Sequence, residues 1–249
     1  MKKFASFNFK GGVGKTTIAV QLSHGLAKAD YEVLLIDLDS QNNCSLFLGI
    51  SEEEWNKTFF DLIDYHQDVS LKDCIISARK NLDLLPSSKY SLIEKDFHRE
   101  PNINVVMEDT LKEINNYDYD YLIIDCSPTE SIVNDAILYY TNHLLVTVRP
   151  ETGSIAGIKQ IYSHLNDLDI DSEKIKLIIP NQVRKRTKEH TENIKKLNNT
   201  FENEDMVTKP IYLRTKITEA TREGKTIYEY DETAQKQFYD VLRRVISIE

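Results

Sequence analysis

Three glycines within four residues mark where this chain can do chemistry. Gly11, Gly12 and Gly14 stand among only 8 glycines in 249 residues. Glycine concentrated in this way signals backbone that something must approach closely. The segment reads Lys10-Gly11-Gly12-Val13-Gly14-Lys15-Thr16-Thr17, between an apolar run ending at Phe9 and a periodic stretch from Lys15 to Ala29. A strand, a glycine loop and a helix N-terminus in that order make a phosphate cradle. Backbone N–H groups converge on anionic oxygens, and the helix adds unsatisfied donors and its dipole. In such a cradle Lys15 reaches the outer phosphates and the Thr16 hydroxyl can ligate Mg2+. The usual spacing asks for glycine at position 9, where this chain has Phe9. A second lysine, Lys10, stands beside it. From the start of the loop it is poorly aimed at its own nucleotide. It suits the nucleotide of a facing subunit, in a charge-stabilising role like that of an arginine finger.

Acidic residues at the ends of apolar runs supply the complementary charge. Asp125 closes Tyr121–Ile124. A carboxylate there must be buried and needs a partner, which water-mediated Mg2+ would provide; a helix-capping aspartate is the alternative. Asp37 and Asp39 bracket Leu38 and point the same way on an extended backbone. For Asp39 the alternative is a cap on a helix from Asn42 onward.

The elements that must hold these residues can be read from the pattern. Lys3–Phe9, Glu32–Ile36, Leu82–Leu85, Tyr121–Ile124, His143–Val148 and Lys174–Ile179 are short apolar runs. Continuous runs, rather than alternation, predict strands covered on both faces. Helices are expected at Lys15–Ala29, Val105–Asn116, Ser131–Tyr140, Ser154–Leu168, Thr187–Asn199 and Ala234–Ile246, with short helices within Ser51–Asp73. Pro86, Pro150 and Pro180 fall directly after strand runs. The alternation predicts an α/β fold, a doubly wound and mostly parallel sheet with helices on both faces, as in P-loop NTPases. Its ligand sits beyond the carboxyl ends of the strands. One domain over residues 1–249 is expected.

Composition narrows the classes. Hydrophobic residues make up 41% and charged residues 29%, which argues against disorder and coiled coil. There is no long apolar run and no signal-like N-terminus. Cys44, Cys74 and Cys126 show no CxxC spacing, which fits a reducing compartment. The net charge of −9 predicts no overall attraction to nucleic acid. Residues 174–225 reverse the sign locally, with 13 Lys or Arg against 7 Asp or Glu. Arg184, Lys185, Arg186 and Lys188 form the densest part, and Arg214, Lys216, Arg222 and Lys225 follow. This is the footprint of sequence-independent phosphate binding, or else a solvated face.

KGGVGKTT resembles the deviant Walker A signature of the ParA/MinD superfamily of P-loop ATPases. The likeness extends through Val33–Asn43, through Tyr121–Pro128 (similar to the Walker B strand, IIDCPP) and through Arg149–Gly157. Ile211–Asp231 is similar to a segment of the partition branch, with Tyr212-Leu213-Arg214 where Pro-Arg-Asn is usual. The resemblance implies ATP and Mg2+ as cofactors, with Lys10, Gly11, Gly12, Val13, Gly14, Lys15, Thr16 and Thr17 on the nucleotide. It implies that Asp39 positions the attacking water and that Asp37 lies nearer Mg2+, alongside Thr16 and Asp125. Glu151 would reach the opposing subunit's ribose, and Asn181 and Ile211 would flank the adenine. Arg184, Lys185, Arg186, Lys188, Lys216 and Arg222 would contact nonspecific DNA. The implied molecule is a homodimer with ATP sandwiched at the interface. It would be cytoplasmic and nucleoid-associated, working with a centromere-binding, ParB-like partner and no membrane. It would hydrolyse ATP slowly to segregate a plasmid or chromosome. The rivals are the same switch positioning another cargo, or a MinD-like membrane regulator. The chain's end directly after its closing helix, and the few residues before its first strand, speak against a membrane anchor and an operator-binding domain.

Overall fold

The computed structural model describes residues 1–63, 68–201 and 205–248. Seven strands form one sheet in the order β3-β4-β2-β5-β1-β6-β7. They are β1 (Lys2–Phe7), β2 (Val33–Leu38), β3 (Ile76–Arg79), β4 (Leu82–Leu85), β5 (Tyr121–Cys126), β6 (His143–Val148) and β7 (Ile175–Pro180). All neighbours run parallel except β3, which pairs antiparallel with β4 at the edge. The helices, in chain order, are α1 (Lys15–Lys28), α2 (Asn43–Leu48), α3 (Phe59–Ile63), α4 (Leu71–Cys74), α5 (Tyr90–Phe97), α6 (Ile103–Thr110), α7 (Ile132–Tyr140), α8 (Ser154–Asp167), α9 (Lys188–Thr200), α10 (Thr215–Arg222), α11 (Ile227–Tyr230), α12 (Glu232–Gln235) and α13 (Tyr239–Ser247).

Two apolar layers sandwich the sheet. Leu34, Ile36, Leu122 and Ile124 face one way, against Phe97 of α5, Met107 of α6, Ile137 of α7 and Ile161 of α8. Val33, Leu35, Tyr121 and Ile123 face the other, against Ile18, Leu22 and Leu26 of α1 and Val241 and Val245 of α13. Every residue of β2, β5 and β6 is buried. Each central strand therefore reads as an unbroken apolar run, because its two alternating faces meet two different layers.

Several boundaries differ from expectation, each for a local reason. β3 was not expected: it is a four-residue edge strand in which only Ala78 is buried. The helix expected at Val105–Asn116 begins at Ile103, where Asn102 accepts a bond from the Asn104 N–H at 3.3 Å, and it tightens into a 3₁₀ turn over Lys112–Asn116. The helix expected at Ala234–Ile246 is two. A turn between α12 and α13 lets the Gln237 side chain accept from the Tyr212 N–H at 2.8 Å. Pro180 ends β7 rather than following it. The region Ser51–Asp73 holds α3, α4 and a 3₁₀ turn, as expected; its residues 64–67 lie outside the described ones.

One close approach ties the C-terminal segment to the sheet edge. Gly49 ends α2 and Gly224 follows α10, both with positive φ (71° and 63°). A Cβ built on Gly224 would lie 2.4 Å from the Gly49 Cα. Arg79 of β3 seals the junction. It donates to the Leu48 and Gly224 carbonyls at 3.1 Å each and pairs with Glu229 at 2.7 Å. Gly224→Ala meets both the backbone strain and the clash. It should destabilise the protein by about 1–3 kcal/mol in urea unfolding; a midpoint equal to the parent's would show that the junction opens freely.

Candidate active site

The glycine loop runs from the end of β1 into α1 as expected, and its shape depends on residues outside it. Asn8 accepts from the Lys10 N–H at 2.8 Å and donates to the Thr147 carbonyl at 2.8 Å, anchoring the loop's start to β6. Asn181 donates to the Val13 carbonyl at 2.9 Å and Gln182 to the Gly12 carbonyl at 3.1 Å. Gly12 and Gly14 have φ of 72° and 97°. A Cβ on Gly14 would lie 2.2 Å from Asn181 Nδ2, so position 14 admits only glycine. With the carbonyls tied back in this way, the N–H groups of residues 11–16 donate to no described backbone acceptor. They are the free donors that an anion requires.

The side chains beneath the loop are charged and buried. Lys15 is 5% exposed and has no ion pair among the described residues. Burial lowers its pKa below that of an ordinary lysine, and the Asp125 charge works in the opposite direction. Asp37 and Asp125 are paired in register at the ends of β2 and β5, both fully buried. Burial raises the Asp37 pKa to about 6 against the N–H bonds from Cys44 (2.8 Å) and Asp39 (3.1 Å). Burial, and then the Asp37 charge, push Asp125 well above the carboxylate range. The Thr16 hydroxyl donates to Asp125 Oδ2 at 2.6 Å, while Oδ1 has no partner. Two adjacent buried carboxylates with an orphaned oxygen and a hydroxyl beside them form a hard-oxygen donor set that fits Mg2+. Asp39 is 7% exposed and accepts from the Gln41 N–H at 3.0 Å. Gln41 precedes α2, whose first-turn Cys44 N–H is taken by Asp37 instead, so Asp39 does not cap that helix, and its charge acts on Lys15.

The structure brings Lys10 and Glu151 together within one chain. Glu151 Oε2 lies 3.2 Å from Lys10 Nζ, and Oε1 lies 2.7 Å from Arg149. The Lys10 side chain is half exposed. Thr17 is half-buried in the first turn of α1. The Ile211 expectation needs correction. Its side chain is 1% exposed in the core, and its N–H and C=O bond Pro180 and Val183, so it offers no face to a base.

The basic residues sort differently from their order in sequence. Arg184, Lys185, Arg186, Lys188, Lys216 and Arg222 are all exposed. Lys216 pairs with Glu219 at 2.9 Å and lies over the Tyr230 ring. Lys185 instead lies on a cleft of about 610 Å3 with Lys209, Arg214, Lys236, Arg243 and Tyr212. The one acidic lining residue, Asp240, is engaged by the Lys209 N–H, Arg243 and Arg244. Lys209, Lys236 and Arg243 were not singled out by sequence reading, because they lie on three separate segments that only the fold joins.

A parallel sheet with a glycine loop after β1 and paired acids on β2 and β5 defines a P-loop nucleotide-binding protein with a displaced lysine. A sequence-family profile described as an AAA domain matches residues 1–179. Sporulation initiation inhibitor protein Soj of Bacillus subtilis is 30% identical over 92% of this chain and 91% of its own. Cell division protein PomZ of Myxococcus xanthus is 28% identical over 92% and 72%. The solved structure of a Cyanothece McdA–ATP complex superposes with a TM-score of 0.85 at 25% identity, covering 100% of this chain and 98% of that one. The chain belongs to the ParA/MinD family of deviant Walker A ATPases.

Lys15→Ala should abolish binding of a fluorescent ATP analogue. It should not lower the thermal midpoint of the nucleotide-free protein, because an unpaired buried cation is removed. Unchanged affinity would overturn the phosphate-loop assignment.

Proposed function

We propose that this chain, as one domain, is an ATP-dependent dimerising ATPase that binds nonspecific DNA in its ATP state and positions a plasmid or chromosome. The observation that carries the reading is the site's unbalanced charge. Among the described residues Lys15 is buried with no ion pair, Asp125 keeps an unpartnered oxygen beside the buried Asp37, and the N–H groups of residues 11–16 donate to no backbone acceptor. A triphosphate with a divalent cation satisfies all three at once.

In this mechanism residues 11–17 wrap the phosphates with N–H donors and Lys15 neutralises the outer ones. Thr16, Asp37 and Asp125 would hold Mg2+, which would help neutralise the phosphate charge. Asp39 orients the attacking water. The Lys10–Glu151 pair sits on the rim beside the loop. In a face-to-face dimer Lys10 exchanges this carboxylate for the partner subunit's phosphates, and Glu151 is freed toward the partner's ribose. Hydrolysis is slow in the lone chain because its site lacks the charge that a second copy brings.

The cleft with Lys185, Lys209, Arg214, Lys236 and Arg243 supports the DNA reading: five cations face one engaged carboxylate in a chain of net charge −9. The partner that triggers release is a centromere-binding protein. The complex is cytoplasmic and nucleoid-associated. A second reading keeps the switch and changes the cargo. Relatives of similar identity are named both as a cell division protein and as a chromosome partitioning protein.

Two outcomes test this. Asp39→Ala should accumulate as a dimer on a sizing column with ATP; a monomer would refute the role of Asp39. Lys185→Glu with Arg214→Glu should weaken binding to random duplex DNA by about tenfold or more and flatten its salt dependence, with ATP affinity unchanged. Unaltered DNA affinity would show the cleft to be mere surface.

A further inference from the structure

Cys44 stands where an oxygen-only cation site has no use for sulfur. It lies in the first turn of α2, its N–H held by Asp37 Oδ2 at 2.8 Å. Its Sγ lies 3.7 Å from Asp125 Oδ2. Donor atoms of Asp37, Cys44 and Asp125 all fall within 4.8 Å of one another, and all three residues are fully buried. In a tetrahedral site a thiolate and a carboxylate oxygen on one Zn2+ are about 3.5 Å apart. The observed sulfur–oxygen spacing of 3.7 Å is close to that. Asp125 Oδ1 is buried without a hydrogen-bond partner, and a cation beside it would satisfy it. The bland reading makes Cys44 a small apolar filler. Its thiol, however, is directed at a carboxylate. The other cysteines are not so placed: Cys126 Sγ faces only the Ile124 carbonyl at 4.0 Å, and Cys74 lies among the apolar side chains between the sheet and its helices.

We propose that Asp37, Cys44 and Asp125 form a nucleotide-independent site for a thiophilic divalent cation of the zinc class, whose occupation excludes Mg2+ and holds the ATPase off. The proposal rests on the assignment of Asp37 and Asp125 to the Mg2+ site. Mg2+ takes oxygen donors and ignores sulfur, whereas zinc-class cations prefer thiolate. On binding, the Cys44 S–H bond breaks, its proton leaves to solvent, and a sulfur–metal bond forms; no electrons are transferred.

The test titrates the full nucleotide-free chain with Cd2+ alone and reads the thiolate-to-cadmium charge-transfer band in the ultraviolet. The band should saturate at one equivalent, be displaced by Zn2+, and resist Mg2+. Cys44→Ser, or Cys44→Ala if the serine variant fails to fold, should lose the band and bind Cd2+ at least about tenfold more weakly by equilibrium dialysis. Cys74→Ser and Cys126→Ser should keep it. A fluorescent ATP analogue, read with Mg2+ before and after one equivalent of Cd2+, separates the two layers of the argument. Mg2+-dependent binding that Cd2+ abolishes in the parent supports the proposal. A parent with no Mg2+-dependent binding would overturn the underlying assignment. Intact Mg2+-dependent binding with a cadmium band that survives Cys44 replacement would overturn the cysteine site alone.

Discussion

The organising constraint is the burial of Asp37 and Asp125 side by side. Their strands are neighbours in a parallel sheet and in register, so the two carboxylates cannot avoid each other. Both lie at full burial, and both have pKa values raised by that burial. Such a pair costs free energy unless a cation relieves it. Around it the molecule places opposite charge without quenching it: among the described residues Lys15 has no ion pair, Thr16 is on Asp125, and the loop's carbonyls are tied back by Asn181 and Gln182 while its N–H groups find no backbone acceptor. The proposed nucleotide and its metal would satisfy these charges and donors together, a form of preorganisation in which the fold bears the cost in advance.

The second feature is what the chain does with Lys10. In the lone subunit it is answered by Glu151, which Arg149 also holds. An exposed pair of this kind is weak. It can be exchanged for a stronger interaction with phosphate at little cost, which suits the change of partner proposed for Lys10.

The central strands and the phosphate loop were legible because each is dictated locally. β2 and β5 are buried on both faces and so read as unbroken apolar runs, and Gly12 and Gly14 sit at positive φ where other residues strain. β3 was not legible, since a four-residue edge strand with one buried residue carries no strong pattern. Nor was the turn dividing α12 from α13, which a tertiary bond from Gln237 to Tyr212 accompanies. Ile211 was misjudged for a related reason: sequence placed it near the base, but the bridges beside β7 turn its side chain into the core. The basic cleft joins Lys185, Arg214 and Lys236 from distant segments, and only the docking of the C-terminal helices brings them together. Cys44 lay one turn from Asp37 in full view, but its proximity to Asp125 depends on the pairing of β2 with β5.

The most direct test of the account is whether Lys10 acts on the other subunit's nucleotide. Lys10→Ala and Asp39→Ala proteins should each be inactive alone, and ATP hydrolysis should be measured after mixing them. If Lys10 works across the interface, a mixed dimer holds one complete site. That site combines the Asp39 of the first chain with the Lys10 of the second, and an equal mixture should recover about a quarter of the parent's rate. If Lys10 serves its own nucleotide, neither site is complete and the mixture stays inactive, which would contradict the dimer mechanism.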